Sequence, residues 1–190
     1  MTRARLGILI SGRGSNMAAL IEASRAEDCP YEVTLVVSNL PDAPGLAFAA
    51  ANGIPQFAIS HIGMKRAEFD ATIDGALRDA GVEYIALAGY MRLLTPEFVA
   101  RWEGRMVNIH PSLLPAHKGL DTHQRVLEAG DARHGCTVHL VTAALDDGPI
   151  LAQAEVPVLP GDDADALARR VLVEEHRLYP AAIAALVRAA

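Results

Sequence analysis

Cysteine is scarce in this chain: Cys29 and Cys136 are the only two among 190 residues. They lie far apart, with no Cys-x-x-Cys or His-x-x-x-Cys neighbour. Neither a disulfide framework nor a structural zinc site is therefore indicated, and a reducing, cytoplasmic setting fits. Long apolar runs are also missing, and none approaches the roughly 20 residues that cross a bilayer. Two arginines near the N-terminus precede an apolar run of about five residues that ends in Ser-Gly-Arg-Gly, unlike a secretory signal. Basic charge is in deficit, with 17 Lys and Arg against 23 Asp and Glu and a net charge of −6. A nucleic-acid-coating role is disfavoured on that ground, although local donors could still hold a small anion. No repeat, low-complexity tract or linker interrupts the sequence. With 51% apolar residues, residues 1–190 are expected to form one domain around one sizeable core.

What is present is an alternation of apolar runs and helix-like segments. Leu6–Ile10, Glu32–Val37, Tyr84–Leu87 and Arg105–Ile109 read as strands. Helices are expected over Ser15–Ala26, Gly45–Ala51, Lys65–Ala80 and Pro96–Trp102. This is the β-α-β-α pattern of a parallel sheet with at least four strands. Beyond Gly119 come a helix near Thr122–Glu128, a strand Thr137–Val141, a turn at Asp146-Asp147-Gly148-Pro149 and a partner strand Ile150–Val156, an antiparallel addition. A last helix, Asp163–Arg188, places Leu167, Val171 and Leu178 on one face and is expected to pack on the sheet. The expected fold is α/β: an open, mostly parallel Rossmann-like sheet flanked by helices, with an antiparallel strand in the C-terminal half.

"ILISGRGSNMAAL" follows a strand and opens a helix, the context in which backbone N–H groups and a helix dipole face a phosphate. The dinucleotide fingerprint is incomplete, because Met17 stands where its third glycine belongs and the second strand ends in Ser38-Asn39 with no acidic residue for a ribose. No Gly-Lys-Ser/Thr follows either, so a P-loop is excluded. A monophosphate held by the N–H groups of Gly14, Ser15 and Asn16 is the functional reading. Ordinary helix capping by Ser15 and Asn16 is the plain one.

In "NIHP", residues two apart on a strand share a face, so Asn108 and His110 point together while Val107 and Ile109 face the other way. Pro111 stops the ladder at what would be the ligand crevice. An asparagine amide can hold a developing oxyanion, and a histidine can exchange a proton near neutral pH. Together they suit attack on a carbonyl carbon, or else form a buried pair that anchors a loop. Asp146 in "ALDDGP" would orient the imidazole if it came close, though aspartates before Gly-Pro are also common turn residues. His110, His117 and His123 lack the spacing of a metal site. Ser112 lacks the Gly-x-Ser-x-Gly setting of a nucleophile. "LAGYMRLLTP" could be core or the wall of a slot for a flat heterocycle.

"ISGRGSNMAAL", "ALAGYMRLL", "NIHPSLLPAHKGLDTH", "HGCTVHLVTAALDDGPILAQAEVPV" and "EEHRLYP" span nearly the whole chain. In order and spacing they resemble the phosphoribosylglycinamide formyltransferase family, folate-dependent enzymes of purine synthesis. The resemblance implies a catalytic trio of Asn108, His110 and Asp146. It implies phosphate and ribose binding by Gly14, Ser15, Asn16 and Glu175. It implies folate contacts from Arg66, Met91, Arg92, Leu93, Leu94, Asn108, Val141, Thr142 and Asp146. The formyl donor would be 10-formyltetrahydrofolate, with no metal, no nucleic acid and no membrane involved. Residues 1–104 would form the phosphate-binding half and residues 105–190 the folate-binding and catalytic half.

Ala143 and Ala144 depart from the acidic residues many relatives carry in the folate loop, Lys118 replaces a common proline, and Leu172 replaces a polar residue in some. A formyltetrahydrofolate hydrolase would be expected to carry an N-terminal regulatory domain, and a methionyl-tRNA formyltransferase a C-terminal one and a basic surface. A ligand sensor would be expected to lose one of the trio.

Overall fold

The computed structural model describes residues 2–190. Strands β1 (Ala4–Ile10), β2 (Tyr31–Ser38), β3 (Gln56–Ala58), β4 (Tyr84–Leu87), β5 (Met106–His110), β6 (Arg133–Leu140) and β7 (Ile150–Pro157) form a single sheet in the order β3-β2-β1-β4-β5-β6-β7. The first five pair in parallel, and β6 runs antiparallel to both β5 and β7. Helices α1 (Ser15–Ala23), α2 (Pro44–Ala51), α3 (Arg66–Asp79), α4 (Pro96–Arg101), α5 (Thr122–Ala129) and α6 (Ala164–Ala189) connect or follow them. The open, mostly parallel sheet with an antiparallel C-terminal addition therefore stands as expected.

Three boundaries differ from the sequence reading. Strand β3 has no counterpart among the expected strands; it is only Gln-Phe-Ala, held at the sheet edge by pairing with Val36–Ser38, and too short to register as an apolar run. Helix α1 stops at Ala23, because the Ser24 hydroxyl donates back to the Ile21 carbonyl at 2.7 Å and competes with helix continuation. Strand β6 begins at Arg133 rather than Thr137, with Gly135 disguising its start. A Cβ at Gly135 would sit 2.0 Å from the Ala154 carbonyl oxygen of β7, so only glycine allows this cross-strand approach.

The sheet is buried on both faces, which is why its central strands read as continuous apolar runs. Leu6, Ile8, Ile10, Val107, Ile109 and Val138 pack beneath α1, α2 and α6, with Leu167, Val171 and Tyr179 of α6 fully buried. Leu9, Val37, Ile85, Leu87 and Met106 pack on the opposite face against α3 and α4 through Phe69, Ile73, Phe98 and Trp102. The hydroxyl of Tyr179 lies 2.9 Å from the carbonyl oxygens of both Leu87 and Val107, pinning α6 to the ends of β4 and β5. On the α3–α4 face the alternation of β5 and β6 turns polar beyond Met106. Asn108, His110, Thr137 and His139 occupy successive positions there. Loops 111–121 and 141–149, rather than a helix, lie over these residues.

Candidate active site

The ladder between β5 and β6 sets Asn108 opposite His139 and His110 opposite Thr137. Beyond His110 the chain enters Pro111, and the Ser112 and Leu114 main chain is tied down by the buried Thr137 hydroxyl, which donates to the Ser112 carbonyl at 2.7 Å and accepts from the Leu114 N–H at 3.0 Å. His110 is thereby buried, at 6% exposure. Its Nε2 lies 3.0 Å from the His117 carbonyl oxygen, and its Nδ1 lies 3.5 Å from Oδ2 of Asp146.

Asp146 reaches His110 because the connection between β6 and β7 folds back over the sheet. Gly148 permits the crossing: a Cβ there would lie 1.7 Å from the Leu140 carbonyl oxygen. Asp146 itself adopts φ 49°, a left-handed conformation that aspartate tolerates better than most residues. At 8% exposure, its Oδ2 accepts the Gly119 N–H at 2.9 Å. His110 and Asp146 are thus brought together, and Asn108 lies two residues from His110 on the same face of β5.

A fourth joins them. His139 is 2% exposed, and its Nδ1 lies 2.9 Å from the Leu140 carbonyl, so that nitrogen donates. Burial pushes its pKa down and keeps the ring neutral, which leaves Nε2 as an acceptor 3.2 Å from the Asn108 amide nitrogen. That contact orients the amide of Asn108 and leaves its second N–H available. The sequence alone marks His139 only as part of a strand. Its signal was its register opposite Asn108, which strand pairing alone supplies.

At the other end of the crevice, Gly14 precedes α1 in a left-handed conformation, φ 70°, and no side chain caps the helix. The capping alternative for Ser15 and Asn16 is therefore not realised, and the first-turn amides are free to meet an anion. Asn16 instead donates from Nδ2 to Oε2 of Glu175 at 2.8 Å, leaving its buried Oδ1 without a partner. Glu175 is 7% exposed on the buried stripe of α6. Burial raises its pKa and the Asn16 hydrogen bond partly opposes that. The turn is braced from behind by α2, whose Gly45 N–H donates to the Gly12 carbonyl at 3.0 Å.

Ser11 links this turn to the next wall, its hydroxyl donating to Asn39 at 2.6 Å and accepting the Met91 N–H at 2.8 Å. Met91 and Leu93 are exposed at 67% and 57%, and Leu94 packs inward. Arg92 holds its guanidinium over the Phe69 ring, 4.8 Å from the centroid, which leaves Met91 and Leu93 as the exposed side chains of that segment. Val141 donates its N–H to the Met106 carbonyl at 2.9 Å. Thr142 donates its hydroxyl to the Ala144 carbonyl at 3.2 Å. Arg66 stands exposed at the start of α3, with no ion pair among the described residues. Among those residues no group of three or more His, Cys, Asp or Glu is placed to hold a metal ion, and no helix is long and apolar enough to cross a membrane.

Residues 4–183 match the family described as formyl transferase. The chain is 43% identical over 177 residues to a phosphoribosylglycinamide formyltransferase of Escherichia coli, covering 93% of this chain and 84% of that protein. It is 48% identical over 188 residues to the trifunctional purine biosynthetic protein adenosine-3 of Drosophila melanogaster, spanning 97% of this chain but only 14% of that much longer protein. The crystal structure of phosphoribosylglycinamide formyltransferase from Brucella melitensis superposes with a TM-score of 0.94 at 51% identity, covering 98% of this chain and 96% of that one.

Proposed function

The chain belongs to the formyl transferase family, and from that premise we propose that it transfers the formyl group of 10-formyltetrahydrofolate to the amine of 5-phosphoribosylglycinamide. The products are phosphoribosyl-N-formylglycinamide and tetrahydrofolate, and the setting is cytoplasmic purine synthesis. The observation that carries this reading is the return of Asp146 to within 3.5 Å of His110, beside an Asn108 amide already oriented by His139.

The uncapped first turn at Gly14, Ser15 and Asn16 takes the substrate phosphate, and Glu175 beside it takes the ribose hydroxyls. That seats the amine toward Asn108. The pterin lies between Met91–Leu94 and the Val141, Thr142 and Asp146 loop, read chiefly by main-chain groups, with Arg66 at the mouth for the acidic tail of the folate. Residues 1–104 carry the phosphate turn and one wall of the folate slot. Residues 105–190 carry the trio, the other wall and Glu175.

As the amine attacks the formyl carbon, negative charge develops on the formyl oxygen. The Asn108 N–H and protonated His110 stabilise it, an effect worth roughly 100- to 1,000-fold per donor in comparable sites. The C–N bond to N10 then breaks, N10 gains a proton supplied through His110, and the amine loses its own. Asp146 holds the imidazolium and can pass protons through water.

Incubation with both substrates is expected to release tetrahydrofolate only when the ribonucleotide is present. Equal release without it would make the protein a hydrolase. His110→Ala is expected to lower kcat by roughly 1,000-fold while leaving substrate binding measurable. Unaltered turnover would remove His110 from the mechanism.

A further inference from the structure

Three consecutive residues, His117-Lys118-Gly119, pass alongside the His110–Asp146 pair, and each makes one contact with it or its neighbour. The His117 carbonyl lies 3.0 Å from His110 Nε2. The Lys118 ammonium pairs with the carboxylate of Asp147. The Gly119 N–H donates to Asp146 Oδ2 at 2.9 Å. A carbonyl oxygen can only accept, so Nε2 of His110 must carry its hydrogen. A neutral His110 would then turn the lone pair of Nδ1 toward a carboxylate oxygen 3.5 Å away, acceptor against acceptor. A second proton, on Nδ1, converts that contact into an imidazolium–carboxylate pair. The Gly119 N–H acts in the same sense, because an amide donates more strongly to an ionised carboxylate than to a neutral one.

We propose that the His117–Gly119 strap is a positioning element that commits Nδ1 of His110 to proton transfer, and that the side chains of His117 and Asp131 anchor it. The inference rests on the reading of His110 as the proton donor. His117 needs the anchor because it holds φ 53°, a left-handed conformation that is unfavourable for a non-glycine residue. Its imidazole Nε2 lies 2.7 Å from Oδ2 of Asp131, in the turn after α5. The Arg125 guanidinium donates to the next carbonyl, that of Lys118, at 2.6 Å. Neither the His117 ring nor Asp131 contacts the trio directly, so both act through the main chain.

The test combines kinetics with 15N NMR of His110 in the full-length protein. In the wild type the Nε2 resonance is expected to be that of a protonated nitrogen whether the ring is charged or neutral. Asp131→Ala is expected to lower kcat about fivefold with both KM values within about twofold, and to produce a mixture of His110 tautomers. Asp131→Asn, which keeps an acceptor oxygen for His117, is expected to restore the single tautomer and most of the rate. Replacing Gly119 by glycolate, an ester without the N–H, is expected to lower kcat about tenfold by a route independent of Asp131. An unprotonated Nε2 in the wild type, or an unaltered tautomer in both Asp131→Ala and the ester, overturns the proposal even where kcat falls. A wild type with the single tautomer but no formyl transfer would instead overturn the functional reading.

Discussion

Glu175 stands on the apolar stripe of α6, four residues from Val171 and four from Tyr179. Because burial raises its carboxyl pKa, the folded chain keeps that proton to higher pH than the unfolded chain does. Stability from this group is therefore present below the ordinary carboxyl range and lost as pH rises through the raised value. Glu175→Gln can still accept from Asn16, and it is expected to be more stable than wild type in thermal melts at pH 7. It is also expected to raise KM for the ribonucleotide about tenfold, through loss of a charged acceptor for the ribose hydroxyls. A melt that is unchanged or lowered would remove the assigned strain. At this scale the sequence was informative where chemistry and spacing coincide, as in Asn108 and His110. It was silent on His139, whose role depends on a strand partner 31 residues away.

The elements were legible wherever an apolar period ran long enough to be counted, and hence β1, β2, β4, β5 and α6 fell close to their expected limits. Two kinds of feature escaped: the three-residue edge strand β3, and contacts in which one element shapes another. Gly45 shows the second kind. In the sequence it is an unremarkable residue near the start of a helix, yet a Cβ there would sit 2.9 Å from the Gly12 carbonyl oxygen and 3.1 Å from that of Arg13. Helix α2 can brace the turn at Gly12–Gly14 only if this position is bare. Gly45→Ala is expected to raise KM for the ribonucleotide about tenfold, to leave KM for the formyl donor within about twofold, and to cost about 1–3 kcal/mol of stability. Steady-state kinetics with each substrate varied in turn distinguishes this from a general defect, in which both constants would move together.

For the molecule as a whole, the alternation of strands and helices was sufficient to imply a parallel sheet with an antiparallel extension. The back-folding of loop 141–149 was not legible, because it depends on Gly148 meeting Leu140 and on the hold of Gly119 upon Asp146. The histidines give the whole protein a distinct response to acid. His134 is 1% exposed with its pKa lowered to about 4, by burial first and by the neighbouring His123 second. His123 and His139 are lowered by burial as well. The unfolded chain takes up protons on these rings near the ordinary imidazole value, whereas the folded chain does not. Stability is therefore expected to fall as pH drops from about 6.5 to 4, by about 3 kcal/mol from His134 alone. Urea unfolding at pH 7 and pH 4.5 measures it, and His134→Phe should flatten the difference.

The hydrogen bond from Asn16 to Glu175 joins residues 159 positions apart, and α6 also pins the ends of β4 and β5 through Tyr179. During translation the Gly14–Asn16 turn is therefore made well before the carboxylate that partners it, which follows only after β7. On the proposed reading, bound ribonucleotide is accordingly expected to stabilise the protein only once α6 has docked.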